Sequence, residues 1–224
     1  MRLLIIGALG KMGRQTNEVA KCYGDECVLL DKISLSEPNF VINDINLTGE
    51  VDAIIDFSVA EDRSAFYDYA AKHKIPYGMF STFLSKKDYE GLEFVSKKVP
   101  VLICTNTSMQ VNLLYKMVDD AAKKLDGADV VLTEYHHKTK KDIPSGTART
   151  IISILENDNQ NPYINSLRVK DALGTHSVKF FCDGEVLEIK HMAQNRQVFA
   201  KGAIEAVHKL INKKPQIYHS ILEL

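Results

Sequence analysis

The sequence of 224 residues has no tryptophan, few cysteines and almost no net charge. Its 28 basic and 29 acidic residues give a formal charge of -1, so no overall field draws the chain to nucleic acid or to acidic membranes. No apolar run approaches the roughly 18 residues that a membrane span requires, and the apolar start is too short for a signal peptide. The four cysteines form no C-x-x-C pair, which favours reduced thiols in a cytoplasmic protein. We therefore expect a small-molecule partner, with no nucleic acid and no membrane.

The chain does have a core-forming composition and an ordered motif at its start. Hydrophobic residues make up 45% of the sequence, enough for one large domain or two small ones. The apolar run 3–6 predicts a strand buried on both faces, and a helix is predicted from Met12 to about Lys21. Between them, Gly7, Gly10 and Gly13 have the spacing G-x-x-G-x-x-G, a variant of the dinucleotide fingerprint. Such glycines allow a tight turn and a close approach of the backbone to a pyrophosphate at the helix start.

A carboxylate follows the glycine motif at the expected separation. The second apolar run, 27–30, ends in Asp31, about 20 residues on, where an acid holds the ribose hydroxyls of a dinucleotide. Asp31 repels a ribose 2′-phosphate, whereas the ammonium group of Lys32 attracts one. The sequence therefore favours NADH as the cofactor and leaves NADPH possible.

Strands and helices alternate as far as residue 106. Strands are predicted over 51–57, 75–80 and 99–104, helices over 60–74 and 86–98, and an irregular connection over 33–50. This order predicts an α/β protein with an N-terminal, Rossmann-like, doubly wound parallel sheet. Ligands of such sheets bind beyond the carboxyl ends of the strands, which points to the loops at Ser58, at Ser81-Thr82 and at Thr105-Asn106.

The pattern changes after Asn106. Helices are predicted over 110–125 and 146–156, and strands over 129–133, 164–169, 176–182 and 185–192, with a hairpin at Asp183-Gly184. We interpret 108–196 as a second, α+β domain inserted into the first, with a mainly mixed or antiparallel sheet. A last helix, predicted over 199–212, packs back on the dinucleotide-binding domain, which comprises 1–107 and 197–224.

Most of the reactive side chains fall in one stretch, residues 134–148. Here His136 and His137 precede a lysine-rich loop, and Ser145 is a predicted N-cap. The amides of Gly146 and Thr147 then open a helix, which makes a ready site for a carboxylate or a phosphate. A proton donor that titrates near neutrality, a fixed ammonium group and an anion-binding helix start form an arrangement for acid catalysis with charge stabilisation.

A metal-dependent hydrolase is an alternative interpretation of the same stretch. Its ligands would be Glu134, His136, His137 and His176. Consecutive residues on a strand point to opposite faces, so His136 and His137 are poorly placed to share one ion. We therefore predict no metal.

With both motifs in view, the chain resembles the 4-hydroxy-tetrahydrodipicolinate reductase family, also called dihydrodipicolinate reductase, of bacterial lysine and diaminopimelate synthesis. The resemblance spans nearly the whole length and is carried by residues 7–13, 134–148 and 187–203. It implies an oxidoreductase that transfers a hydride from NAD(P)H to a cyclic imine dicarboxylate, giving tetrahydrodipicolinate. It also implies a homotetramer, with 108–196 as the domain for substrate binding and oligomerisation. It also implies that His136 is the general acid and Lys140 the second catalytic cation. The contacts it implies for the substrate carboxylates are His137, Ser145, Gly146 and Thr147.

Two segments depart from the family pattern, both by loss of glycine. Phe80-Ser81-Thr82-Phe83 stands where the family has a Gly-Thr-Thr-Gly loop under the nicotinamide, and 106–110 stands where an Asn-x-Ser-x-Gly hinge is usual. Because the loss of glycine removes backbone freedom beside the cofactor, a non-catalytic NAD(H)-binding sensor is the alternative to a reductase. The predicted cofactor contacts are Gly7, Ala8, Leu9, Gly10, Lys11, Met12, Asp31, Lys32, Ser81, Thr82, Thr105, Asn106, Thr107 and Ser108.

Overall fold

The computed structural model describes residues 1–33, 43–82 and 84–224. They form two compact units, Met1–Ser108 together with Gln197–Leu224, and Met109–Arg196. Phe83 and half of the predicted connection over 33–50 lie outside the described residues. Within the described ranges, no helix is long and apolar enough to cross a membrane.

In chain order the elements are β1 (Arg2–Ile6), α1 (Lys11–Cys22), β2 (Glu26–Leu30), β3 (Ala53–Asp56), α2 (Ser64–His73), β4 (Tyr77–Met79), α3 (Lys86–Ser96), β5 (Val101–Ile103), α4 (Met109–Ala122), β6 (Asp129–His136), α5 (Gly146–Asn157), β7 (Tyr163–Arg168), β8 (Thr175–Cys182), β9 (Glu185–Met192), α6 (Gln197–Leu210) and β10 (Ile217–Tyr218), with short 3-10 segments at Ile45–Leu47 and Ile221–Glu223.

The strands of the first unit form one six-stranded sheet in the order β10-β5-β4-β3-β1-β2. All five of its strand pairs are parallel, which confirms the predicted Rossmann-like fold. The strand β10 is absent from the sequence prediction, because two residues are too few to show a strand period. It is held at the sheet edge, where the amide of Val101 donates to the carbonyl oxygen of Gln216 at 2.9 Å.

Side chains of β1 alternate between two cores, one on each face of this sheet. Leu4 and Ile6 pack with α2 and α3, whereas Leu3 packs with α1 and α6. All three side chains are buried. Burial on both faces explains why the strand is a continuous apolar run with no polar residue between.

The second unit is a four-stranded sheet in the order β7-β6-β8-β9, with α4 and α5 packed on one face. β6 pairs with β7 in parallel, and the other two pairs are antiparallel, so the predicted mixed sheet is confirmed. The core under the helices includes Leu132 and Val178 from the sheet with Val118 and Ile151 from the helices. A group of polar side chains lies outside this core, at the carboxyl end of β6 and at the start of α5.

Candidate active site

The register of the second sheet gathers polar side chains at the carboxyl end of β6. Glu134 and His136 lie on the helix-covered face of that strand and both are buried. The parallel pairing with β7 sets Ser166 opposite Glu134 and Arg168 opposite His136. The antiparallel pairing with β8 sets His176 opposite Glu134. Three strands that are distant in sequence thereby contribute to one cluster.

Glu134 is at the centre of this cluster. Its side chain is fully buried, and its Oε1 accepts from Nη1 and Nη2 of Arg168, each at 3.2 Å, and from the amide of Ser145 at 3.2 Å. Its Oε2 lies against Nδ1 of His136. Burial favours the neutral acid, but neighbouring donors and cations, among them the amide of Ser145 and the guanidinium of Arg168, outweigh it and hold the pKa of Glu134 below its ordinary value. Glu134 is therefore an ionised carboxylate at neutral pH.

His136 is buried between this carboxylate and a second imidazole. Burial lowers the pKa of His136, Glu134 opposes that shift, and the cations Lys140 and Arg168 add to it. The His136 and His176 rings pack edge to face, with centroids 5.1 Å apart. Because the net shift is downward, the imidazole of His136 is mostly neutral at neutral pH in the free protein.

His176 is a neutral partner in the same cluster. Burial lowers its pKa to about 3, and the neighbouring His136 adds to the shift. Its Nε2 lies 3.1 Å from Oγ of Ser145, which also accepts from the amide of Ala148 at 3.2 Å. Oγ of Ser145 therefore caps α5 and pairs with Nε2 of His176 at once, and the tautomer of the imidazole decides which of the two donates.

The loop after β6 holds Lys140 by its side chain and by its backbone. Nζ of Lys140 lies 2.8 Å from Oδ1 of Asp142, and Nη2 of Arg149 lies 3.8 Å from Oδ2 of the same carboxylate. Arg168 donates to the carbonyl oxygens of Lys140 at 3.4 Å and of Asp142 at 2.6 Å. Burial opposes ionisation of Asp142, but Lys140 keeps the pKa of this carboxyl below its usual range. Arg168 thus joins the Lys140 loop to Glu134, a role that the sequence analysis missed because it depends on the register of β7.

The start of α5 confirms the predicted N-cap. Ser145 precedes the helix with an extended backbone, and its Oγ accepts from the amide of Ala148. Ser145 itself is buried, and its amide donates to Glu134. Gly146 and Thr147 are half-buried in the first turn of α5. These two amides are the groups that suit a carboxylate.

His137 follows the last residue of β6 and is not part of the group formed by Glu134, His136 and His176. Its Nδ1 is 2.8 Å from Oγ1 of Thr139. It borders a cavity in which three cationic side chains outnumber one carboxylate, so the cavity suits an anion. The lining residues are His137, Lys138, Thr139, Lys170, Asp171, Leu173 and Arg196.

Three of the four residues weighed as metal ligands do come together. The ligand atoms of Glu134, His136 and His176 lie within 4.8 Å of one another, and this is the group of that kind found among the described residues. His137 is not part of it. Glu134 already binds Arg168, and a second cation, Lys140, acts on His136. The positive charges of Arg168 and Lys140 beside the cluster disfavour a bound metal ion.

The glycine loop of the first unit has the geometry that a dinucleotide requires. A Cβ at Gly13 would lie 2.3 Å from the carbonyl oxygen of Gly7 and 2.6 Å from Cα of Ala8, so α1 packs on the loop at a distance that only glycine allows. Gly7 has φ +78°. Gly10 is the N-cap of α1, and because glycine has no side chain, none caps the first amides of the helix. The first turn of α1 can therefore offer its amides to a phosphate, which is the fit that the fingerprint predicts.

Asp31 reaches back from the end of β2 to this loop. Its Oδ2 accepts from the amide of Leu9 at 2.8 Å and its Oδ1 from the amide of Lys32 at 2.8 Å. The Lys32 side chain is exposed. Each carboxylate oxygen has a further lone pair, so Asp31 keeps the capacity to accept from ribose hydroxyls.

The remaining predicted cofactor residues follow β4 and β5, at the carboxyl edge of the same sheet. Ser81 is buried and Thr82 is exposed. Thr107 donates from Oγ1 to the carbonyl oxygen of Phe199 at 2.6 Å, and the amide of Ser108 donates to Oδ1 of Asn106 at 3.0 Å. The segment 105–108 is thereby attached to α6.

A buried arginine fixes the loops after β3 and β4, and the sequence analysis missed it. Arg63 donates to Oδ1 of Asp88 at 2.9 Å and to the carbonyl oxygen of Ser58 at 2.7 Å, and it lies 3.7 Å from Oδ2 of Asp56. Its Nη2 also reaches Oγ of Ser81 at 3.4 Å. No local pattern marks this arginine, because its partners come from different loops. It thereby links the loop after β3 to the Ser81 loop after β4.

Family profiles and the most similar sequences agree on one family. Profiles described as "Dihydrodipicolinate reductase, N-terminus" and "Dihydrodipicolinate reductase, C-terminus" match residues 1–107 and 110–222. The chain is 36% identical over 219 residues to the 4-hydroxy-tetrahydrodipicolinate reductase of Thermosipho africanus, an alignment that covers 97% of this chain and 95% of the relative. It is 34% identical over 240 residues to the protein of the same name from Caldanaerobacter subterraneus, with 97% and 96% covered.

A solved structure has the same fold. The dipicolinate-bound dihydrodipicolinate reductase from Paenisporosarcina sp. TG-14 superposes with a TM-score of 0.82. The two chains are 17% identical, and the match covers 100% of this chain and 99% of the other.

Proposed function

The chain belongs to the dihydrodipicolinate reductase family, and on this basis we propose that it reduces 4-hydroxy-tetrahydrodipicolinate to tetrahydrodipicolinate. The nicotinamide cofactor, when bound, supplies the hydride that adds to an unsaturated carbon of the cyclic substrate. The protein contributes substrate orientation, a proton and stabilisation of the developing charge. The pathway that this reaction serves is lysine and diaminopimelate synthesis.

The arrangement of His136 and Lys140 carries this proposal. Both are attached to one buried carboxylate, His136 directly and Lys140 through Arg168. His136 holds the proton that neutralises the negative charge left by hydride addition, and Lys140 stabilises that charge until the proton arrives. The amides of Gly146 and Thr147 receive one substrate carboxylate, with Ser145 as the cap that shapes the helix start. His137 and the cationic side chains around its cavity suit the other carboxylate.

Turnover tests the assignment. Freshly generated 4-hydroxy-tetrahydrodipicolinate should drive oxidation of reduced cofactor by the wild-type protein, followed by its absorbance. His136→Gln should lower kcat by roughly 10²–10⁴-fold, the range for loss of a general acid, with cofactor affinity almost unchanged. Near-normal kcat in this variant would remove His136 from the role. A wild-type protein that binds NADH without turnover would favour the alternative, a non-catalytic NAD(H)-binding sensor.

The cofactor preference is part of the proposal. Asp31 is held against the glycine loop by the amide of Leu9, with its second oxygen facing the amide of Lys32. A carboxylate in this place accepts from ribose hydroxyls and repels a 2′-phosphate. We therefore propose NADH as the better cofactor and NADPH as a usable one, because the exposed ammonium of Lys32 offsets part of the repulsion.

A homotetramer, implied by the family resemblance, is the proposed assembly. On the face of the second sheet opposite α4 and α5, large apolar side chains are exposed, including Tyr163, Leu167, Phe181, Val186 and Met192. An apolar sheet face of this kind is typical of an interface between copies. Light scattering of the wild type and of Phe181→Lys tests it, since a charge on this face should dissociate the assembly.

The four free cysteines support the proposed cytoplasmic location.

A further inference from the structure

We propose that Glu134 is a positioning residue for His136, whose carboxylate keeps a hydrogen on Nδ1 of the imidazole and so presents Nε2 as the atom that delivers the proton. The inference rests on the proposed function for the reaction in which the proton is used. It explains how the buried imidazole of His136 delivers its proton through one defined ring nitrogen. No contact between Glu134 and the substrate is required.

The contact at Nδ1 decides the tautomer. Oε2 of Glu134 lies against Nδ1 of His136, and Glu134 is ionised, so it can only accept. If Nδ1 carried a lone pair, two acceptors would face each other and repel. Nδ1 therefore bears hydrogen in the neutral ring, and Nε2 is the nitrogen that gains and releases the second proton.

The surroundings of Nε2 fit this assignment. Gly174 lies beside it, and a Cβ built at Gly174 would come within 3.1 Å of Nε2 and 3.5 Å of Cδ2. Gly174 has φ +146°, a conformation that other residues rarely adopt. The absence of a side chain at Gly174 leaves space at the nitrogen that exchanges the proton.

Glu134 can serve His136 because its other oxygen is fixed. Oε1 accepts from both terminal nitrogens of Arg168 and from the amide of Ser145. Arg168 is fixed in turn by the carbonyl oxygens of Lys140 and Asp142. A carboxylate clamped at one oxygen cannot rotate away from the imidazole, so the orientation of His136 is set before substrate binds.

The charges that act on His136 give Glu134 a second effect. Lys140 from the following loop and Arg168 from β7 oppose a positive ring, and His176 from β8 is neutral. Glu134 is the anion that favours the imidazolium. Loss of its charge should therefore make His136 harder to protonate as well as less well oriented.

Glu134→Gln tests both effects, because it keeps the side-chain size and removes the charge. We expect the pKa of His136, followed by NMR of the ring, to fall by about 1 pH unit or more. We expect kcat to fall by about 10- to 100-fold, by analogy with the partners that orient metal-bound histidines, with the KM for NADH unchanged. Glu134→Asp should restore part of kcat. The control is Glu188→Gln, the same chemical change at an exposed carboxylate of β9, which should leave both quantities unchanged.

The proposal would be overturned if the folded Glu134→Gln protein kept the wild-type kcat. It would also be overturned if His136 kept its wild-type pKa in this variant. If this variant does not fold, the ring nitrogen chemical shifts of wild-type His136 above its pKa give the answer without a substitution. Hydrogen on Nδ1 is the expected result, and hydrogen on Nε2 would overturn the proposal. If the wild type does not turn over 4-hydroxy-tetrahydrodipicolinate, the proposed function fails, but both NMR measurements still test the role of Glu134.

Discussion

The substitution Gly13→Ala should separate α1 from the glycine loop and weaken cofactor binding. The new Cβ would lie 2.3 Å from the carbonyl oxygen of Gly7, and both that atom and its neighbour in Ala8 belong to the backbone. No side-chain rotation can relieve the overlap. Restoring a contact of about 3.5 Å requires a movement of roughly 1 Å by the helix or the loop. Overpacking of this kind costs about 1–3 kcal/mol of stability.

The same movement displaces the amides that open α1. A charge-assisted hydrogen bond contributes about 1.5–3 kcal/mol net, so the loss of one such bond to a cofactor phosphate should raise the Kd for NADH about 10- to 150-fold. Titration of NADH by calorimetry gives the Kd, and thermal unfolding gives the loss of stability. At saturating NADH and substrate, kcat should fall by a smaller factor than the factor by which Kd rises, because the reacting side chains lie in the other unit.

Gly10→Ala is the matched comparison, since its Cβ approaches the same carbonyl oxygen of Gly7 at 3.2 Å. Gly10 has φ -69° and ψ 167°, which alanine adopts without strain. We expect a loss of stability several times smaller than for Gly13→Ala. Equal losses of stability for the two substitutions, or a wild-type Kd for Gly13→Ala, would show that close packing of α1 on the loop does not support cofactor binding.

Two further predictions concern single side chains. Asp31→Ala should weaken NADH binding and leave NADPH binding unchanged or improved, and equal losses for both cofactors in calorimetry would show that Asp31 does not read the ribose. His176 should make the protein sensitive to acid: its folded pKa of about 3 lies below the unfolded value of about 6.5, so the unfolded chain binds the proton and stability falls as the pH drops below 6.5. Between pH 7 and pH 5 the loss from this group is about 2 kcal/mol, and urea unfolding should show a smaller loss in His176→Asn than in the wild type.

Features set by neighbouring residues could be predicted from the sequence. The Ser145 cap depends on a hydrogen bond to an amide three residues on, and the glycine loop depends on a spacing within seven residues. Both leave a mark in a short window, and both are present in the structure. Strand alternation predicted that His136 and His137 are poorly placed to share one ion, and the structure leaves His137 out of the group formed by Glu134, His136 and His176.

Partners set by strand register could not be predicted in this way. Arg168 reaches Glu134 because β7 pairs with β6 in parallel after a helical crossover, and one residue of slip would point it to the other face. Arg63 is similar, because Asp88 and Ser81 reach it from separate loops. Such contacts join residues tens of positions apart, and a single sequence contains no period that reports them.

A general acid must carry a proton before it can give one, but the lowered pKa of His136 leaves its ring mostly neutral at neutral pH in the free protein. The charges nearby cancel in pairs, Glu134 with Arg168 and Asp142 with Lys140. A dicarboxylate substrate adds two negative charges to this balanced cluster, and an opposite charge close to His136 favours its protonated form.

Substrate binding and proton uptake should therefore be coupled, and the coupling is reciprocal, so dicarboxylate affinity should rise as the pH falls towards the pKa of His136. Calorimetry with pyridine dicarboxylate, a non-reactive analogue, in buffers of different ionisation enthalpy measures the protons taken up. We expect uptake of a fraction of a proton per site near pH 7.5, and a smaller uptake in His136→Gln. Identical binding enthalpies in all buffers would show that His136 is not charged by the bound dicarboxylate, and the proton would then have to come from another group.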